Sequence, residues 1–131
     1  MIFVDSNVPM YVVGAAHPHK AAARRLLERA VGEGQKLVTS AEVFQEILHR
    51  YSAIGRRDAI QPAWDLLAAV TDDVFRIELA DADRARAIVL ERHALSARDA
   101  LHVAVMERHG LTAIMSFDTG FDGLPDVERL H

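Results

Sequence analysis

The sequence predicts an α/β domain built on a largely parallel sheet of four to five strands, with helices on both faces. Three observations carry this. Short apolar, β-type runs alternate with stretches of helical periodicity along the chain, the pattern of strand–helix–strand crossovers. The 131 residues suffice for one hydrophobic core, and 50% of them are hydrophobic, which argues against a disordered chain. No repeat, low-complexity segment or linker interrupts residues 1–131, so they are read as a single domain.

The elements follow in order. Ile2-Phe3-Val4 is a short buried-type strand ending at Asp5. A helix is expected from about Val8 to Val13, with Pro9 tolerated in its first turn. Pro18 leads a second helix, about His19 to Val31, in which Ala22, Leu26, Leu27, Ala30 and Val31 recur at helical spacing; Gly32 and Gly34 end it. Lys36 to Thr39 is a second strand. Thr39-x-x-Glu42 reads as a capping box for a helix from about Ser40 to Ile54, with Val43, Phe44, Ile47, Leu48 and Tyr51 on one face.

Gly55-Arg56-Arg57-Asp58 is a polar break, and Ala59 to Val70 a further helix with Pro62 in its first turn. Val74 to Leu79 alternates as a third strand, after which Asp81 or Asp83 caps a helix running to about His93. Ser96-x-x-Asp99 is a second capping box, for a helix to about His109 that Gly110 terminates. Thr112 to Phe117 is a fourth strand and Val127 to Leu130 a fifth.

Composition narrows the function classes. Cysteine is absent, which excludes a disulfide framework and a thiolate zinc site and is compatible with the cytosol. Met1 to Asp5 lacks a basic region and meets an acid at once, unlike a signal peptide, and no apolar run is long enough for a bilayer span. The net charge of −4 argues against a broad basic nucleic-acid surface. An acidic metal cluster that dominates this count, beside local basic patches, is the reading that keeps RNA or DNA in play.

Four acids stand out: Asp5, Glu46, Asp99 and Asp118. Asp5 and Asp118 lie at carboxyl ends of expected strands, and Glu46 and Asp99 in early turns of helices. In parallel sheets the ligand crevice lies beyond the carboxyl ends of the strands. Four acids at one rim repel one another, and a divalent cation is the simplest counter-charge. A set rich in carboxylates, without Cys or a His cluster, suits Mg²⁺ or Mn²⁺ rather than zinc. Such ions activate a water for attack on a phosphodiester and offset charge on the phosphoryl and leaving oxygens, so metal-assisted phosphodiester hydrolysis is the natural reaction class.

Each acid also has a structural reading. Asp5 and Asp99 suit helix caps, Glu46 a solvated margin, and Asp118 a turn before Thr119-Gly120. Glu42 lies one turn before Glu46 but has the capping position. Asp122, one turn after Asp118, is an outer or second-metal ligand candidate. His102 is read as packing rather than ligating, and His17-Pro18-His19 as a loop. Lys20, Arg24, Arg25, Arg50, Arg56, Arg57 and Arg98 are candidate phosphate contacts, each with a solvated surface charge as its plain reading; Arg50 is also placed to pair with Glu46.

Four motifs in order carry a family resemblance: Ile2-Phe3-Val4-Asp5-Ser6-Asn7; Leu37 to Leu48, whose Glu46 falls six residues after Ser40; Leu95-Ser96-Ala97-Arg98-Asp99-Ala100-Leu101-His102; and Ile114-Met115-Ser116-Phe117-Asp118-Thr119-Gly120-Phe121-Asp122. With them the chain resembles a PIN-domain protein, and more narrowly a VapC-type toxin of prokaryotic toxin–antitoxin pairs, over essentially its full length. The resemblance implies a three-layer α/β/α sandwich. It also implies Mg²⁺- or Mn²⁺-dependent ribonuclease activity, frequent homodimers and a cognate antitoxin. It assigns metal binding to Asp5, Glu46, Asp99 and Asp118 and favours Glu46 over Glu42. The family also places Asn at position 118, which keeps Asp122 beside Asp118 for the fourth place.

The expected scheme has Asp5, Glu46 and Asp99 holding the ion, Ser6 and Ser116 orienting carboxylates or waters, and Asn7 stabilising the turn after Asp5. The expected location is the cytoplasm. The alternatives are a non-catalytic PIN-like protein-binding module and a DNA- or structure-specific nuclease. A phosphoacceptor domain would want an acidic pair after the first strand, and a haloacid dehalogenase-type phosphatase Asp-x-Asp; Asp5-Ser6-Asn7 provides neither.

Overall fold

The structure is a computed structural model and describes residues 1–131. Five strands form one sheet: β1 (Ile2–Val4), β2 (Leu37–Ser40), β3 (Asp73–Phe75), β4 (Ala113–Met115) and β5 (Glu128–Leu130). Their order is β3-β2-β1-β4-β5, with every pairing parallel. The helices are α1 (Asn7–Val13), α2 (Lys20–Gly32), α3 (Ala41–Ala53), α4 (Ile60–Val70), α5 (Leu79–Glu91) and α6 (Ala97–Arg108). Short 3₁₀ turns cover Arg57–Ala59 and Thr119–Phe121.

Topology explains the three layers. The chain steps outward from β1 to β2 to β3, then crosses back to β4 on the other side of β1. Right-handed crossovers therefore put α1 to α4 on one face and α5 and α6 on the other. The packing agrees: α1 meets α2 and α4, α3 meets α4, and α5 meets α6. A central strand covered on both faces must be apolar throughout, and Ile2, Phe3 and Val4 are all buried. They join Leu37, Val38, Ile47, Val105, Ile114 and Phe121 in one core.

Register sets the level of the crevice. Phe3 pairs with Val38 and Val4 with Met115. Two residues beyond Phe3 and one beyond Val4, the chain reaches Asp5, Ser40 and Ser116 at the same height. The strand order reverses between β1 and β4, so this is the switch point where a parallel sheet opens a crevice.

Several local expectations change. The third strand is shorter than Val74–Leu79, because β2 offers partners only from Val38 to Ser40 and pairing stops at Phe75. Glu78, not Asp81 or Asp83, is the N-cap of α5; Asp81 supplies the returning half of the capping box. Thr39 and Glu42 form no box. Ser40 takes the N-cap of α3, while Thr39 Oγ1 donates to the Val4 carbonyl at 2.9 Å and ties β2 to β1. At α6, Ser96 Oγ does accept the Asp99 N–H.

Candidate active site

The site is built on backbone continuity between β1 and β4. The Asp5 N–H donates to the Met115 carbonyl, extending the ladder by one rung to the sheet's edge. There Asp5, 3% exposed, turns into a polar nest. Its Oδ1 accepts the Ser6 N–H at 2.7 Å, and its Oδ2 accepts the Ser116 hydroxyl at 2.6 Å and Asn7 Nδ2 at 3.2 Å. Asn7 spans the gap: Nδ2 also donates to Ser116 Oγ, and Oδ1 accepts the Phe117 N–H. Ser6 Oγ donates to Glu46 Oε2 at 2.7 Å, drawing α3 to the same point. Ser6 and Ser116, expected to orient carboxylates, each donate to one, and Asn7, expected to steady the turn after Asp5, bridges Asp5, Ser116 and Phe117.

Asp99 and Asp118 meet around Gly120. A Cβ built on Gly120 would lie 3.1 Å from Asp118 Oδ1 and 3.4 Å from Asp99 Oδ2, so only glycine leaves both carboxylates their present room. Asp118 Oδ1 is further held by the Gly120 N–H at 2.8 Å. Asp5, Glu46, Asp99 and Asp118 all line one cleft of about 590 Å³, with Arg50, Arg98, Tyr11 and Phe117 also on its walls. Asp122 is not on those walls: Arg129 Nε and Nη2 hold its two oxygens at 2.8 and 2.9 Å. Arg50 forms no ion pair with Glu46.

Charge in the cleft is unevenly compensated. Burial pushes the Asp99 carboxyl up to about 7, and neighbouring Asp118 and Asp5 push the same way. Burial likewise raises Asp5, against the opposing pull of His102 and Ser116. Burial would raise Glu46 too, but His102, Ser6 and Arg98 outweigh it and hold it below its ordinary value. His102 answers from beneath. Burial alone would lower it, yet Glu46, Asp5 and Asp99 raise it above its ordinary value. Its ring is fully buried against Phe3, with Nε2 2.5 Å from Glu46 Oε1 and 3.7 Å from Asp5 Oδ1.

The packing read for His102 in the sequence therefore understates it. It packs, and its Nε2 also touches the carboxylates of Glu46 and Asp5 from beneath. The signal was its place one turn after Asp99, which puts both on one side of α6.

The residues fit a divalent cation. Oxygens of Asp5 and Glu46 lie within 4.8 Å of each other, and Asp99 and Asp118 line the same cleft. Glu46 Oε1 meets His102 Nε2 and Oε2 takes the Ser6 hydroxyl, while Glu46 itself faces the cleft beside Asp5, Asp99 and Asp118. Four carboxylates on one cleft repel one another, and a cation among them offsets that repulsion. Carboxylate oxygens without Cys form a hard donor set.

Fold and site define a class first: a parallel α/β domain with an acidic, cation-seeking cleft at its switch point. The profile of the PIN domain matches residues 2–127. The chain is 59% identical over 130 residues to Ribonuclease VapC13 of Mycobacterium tuberculosis, covering 99% of both. It is 43% identical over 118 residues to Ribonuclease VapC23 of the same organism, covering 90% of this chain and 93% of that one. Among solved structures it is similar in fold to Mycobacterium tuberculosis VapC20, described as a sarcin–ricin loop cleaving toxin. That match has a TM-score of 0.73 at 24% identity and covers 97% of this chain and 98% of the other. The chain belongs to the PIN-domain family, among its VapC members.

Proposed function

We propose that this protein is a Mg²⁺- or Mn²⁺-dependent endoribonuclease acting as the toxin of a toxin–antitoxin pair. The observation that carries the reading is the convergence of Asp5, Glu46, Asp99 and Asp118 on one cleft. Close kinship to proteins named as ribonucleases supports RNA as the substrate.

Asp5, Glu46 and Asp99 hold the ion in this reading, with Asp118 completing the set and Asp122 kept outside it by Arg129. When bound, the ion supplies a lowered pKa for water and positive charge toward the phosphoryl oxygens. The chain's own groups do the rest. Ser116 and Ser6 fix one oxygen each of Asp5 and Glu46. Arg50 and Arg98, on the cleft wall, meet the phosphates flanking the scissile bond. In the metal-free chain burial and the neighbouring carboxylates raise Asp99 to about 7, so taking up the ion goes with loss of the Asp99 proton.

Kinship to VapC proteins, and likeness in fold to a chain from a toxin–antitoxin complex of Klebsiella pneumoniae, support a cognate antitoxin as partner; a homodimer belongs to the proposal on the family resemblance alone. No helix is long and apolar enough to cross a membrane; a cytoplasmic place of action is part of the proposal.

Purified Asp5→Asn should retain the wild-type melting profile in EDTA and lose nearly all Mg²⁺- or Mn²⁺-stimulated cleavage of total RNA. Cleavage equal to wild type would refute the scheme. A non-catalytic module would show no thermal stabilisation by either ion.

A further inference from the structure

The cleft mouth carries a feature that hydrolysis itself does not use. Four rings gather there: Tyr11 from α1, His17 and His19 from the following loop, and Phe117 beside Asp118. His17 stacks on Tyr11 with centroids 4.4 Å apart, and His19 stacks on Phe117 at 4.7 Å. Tyr11 and Phe117 stand edge to face at 5.5 Å and join the two stacks. Tyr11 and Phe117 are cleft-wall residues, whereas both imidazoles are exposed.

The loop that presents the imidazoles is fixed by its own bonds. The Gly14 N–H donates to the Met10 carbonyl, and Lys20 Nζ donates to the Gly14 carbonyl at 2.6 Å, closing the loop base. The His19 N–H donates to His17 Nδ1 at 3.0 Å and orients that ring. A Cβ at Gly14 would sit 2.7 Å from the Met10 carbonyl oxygen, so the chain takes this path only with glycine there. Rings held this way lose little freedom when a flat ligand lands on them.

Charge supplies the second argument. The net charge is −4, and the four carboxylates of the cleft are answered on its walls only by Arg50 and Arg98. Backbone electrostatics alone gives such a surface little hold on a polyanion. Base–aromatic stacking is the contribution that does not depend on charge.

We propose that Tyr11, His17, His19 and Phe117 form a stacking subsite for an unpaired nucleobase next to the scissile phosphodiester, so that the enzyme selects single-stranded segments. The inference rests on the ribonuclease reading above. It assigns the His17-Pro18-His19 loop a substrate-positioning role that a plain connecting loop would lack.

The test uses a short fluorescein-labelled RNA of mixed composition, alone and annealed to its complement, with Ca²⁺ replacing Mg²⁺. Anisotropy reads the affinity, and the same preparations are assayed with Mg²⁺ on total RNA. Wild type should bind the single strand at least about tenfold more tightly than the duplex, with a shallow salt dependence. His17→Ala/His19→Ala, a change at exposed positions, should weaken single-strand binding by about tenfold and raise KM more than it lowers kcat. Phe117→Trp should restore what Phe117→Leu loses.

Equal affinity of the double variant and wild type overturns the subsite, as does equal binding of single strand and duplex, or binding of neither. The total-RNA assay keeps the two readings apart. Cleavage that persists in those cases leaves the nuclease standing without the subsite, and absent cleavage removes both.

Discussion

The Ser116 hydroxyl donates to Asp5 Oδ2 at 2.6 Å, joining the carboxyl ends of β1 and β4 across a sequence separation of 111 residues. Ser116 is fully buried, and its Oγ also accepts from Asn7 Nδ2 and the Asp118 N–H. One hydroxyl therefore sets the aim of Asp5, Asn7 and Asp118 together. Ser116→Ala should lower Mg²⁺ affinity and RNA cleavage by about 10–100-fold. It should cost about 1 kcal/mol of stability. Isothermal titration with Mn²⁺ and urea unfolding read the two effects; unchanged metal affinity would show that Asp5 is aimed by its backbone alone.

His102→Leu removes the imidazole that Glu46 and Asp5 hold above its ordinary pKa, at little change in volume. The metal-free protein should lose about 3 kcal/mol, because two buried carboxylates then face each other without a cation. Saturating Mg²⁺ should return much of that loss, since the ion replaces the missing charge. Urea unfolding with and without Mg²⁺ measures both numbers. An equal loss under both conditions would mark His102 as packing and nothing more.

Stability of the metal-free protein should fall as pH rises. The Asp99 carboxyl is raised from 3.8 to about 7 in the folded chain. Between those values the folded state holds more protons than the unfolded one, so the slope of stability against pH is negative there. Melting in EDTA should therefore give a lower Tm at pH 7.5 than at pH 5.5, in line with titration at about 7. Asp99→Asn should flatten the curve, and Mg²⁺ should reverse its sign, because an ion binds the deprotonated set.

Away from the site, Arg108 Nε and Nη2 hold both oxygens of Asp81, at 2.7 and 2.9 Å, and clamp α6 to the start of α5. Arg108 pulls Asp81 below its ordinary value, with the Glu78 N–H helping. A depressed carboxyl stabilises the fold above its unfolded pKa, near 3.8, and that contribution is lost as pH falls through the folded value. Asp81→Asn should cost about 2 kcal/mol at neutral pH, and the gap to wild type should close in acid. Parallel urea titrations at pH 7 and in the acid range below pH 3.8 test this.

Much of this was legible in the sequence because its causes are local. Strand–helix alternation gave the parallel sheet, and the acids after Val4 and Phe117 announced a crevice. What the sequence left open has non-local causes. The choice between Glu42 and Glu46 turns on which side chain Ser6 Oγ reaches, a contact across 40 residues. Thr39 looked like a cap because its bond to the Val4 carbonyl exists only once β1 and β2 pair. Asp122 looked like a ligand because Arg129, on β5, is invisible to a local pattern. His102 kept its second role hidden until α3 and α6 met under Asp5.

The place of β1 in the sheet has a consequence for synthesis. β1 is the central strand, and β4, its neighbour across the crevice, begins at Ala113. Asp5 leaves the ribosome 111 residues ahead of Ser116, its partner. A chain cut short before Ser116 carries Asp5, Glu46 and Asp99 but lacks the hydroxyl that aims Asp5 and the Asp118 that closes the cleft. The acidic set is therefore finished only when β4 docks, which ties its completion to the late part of synthesis.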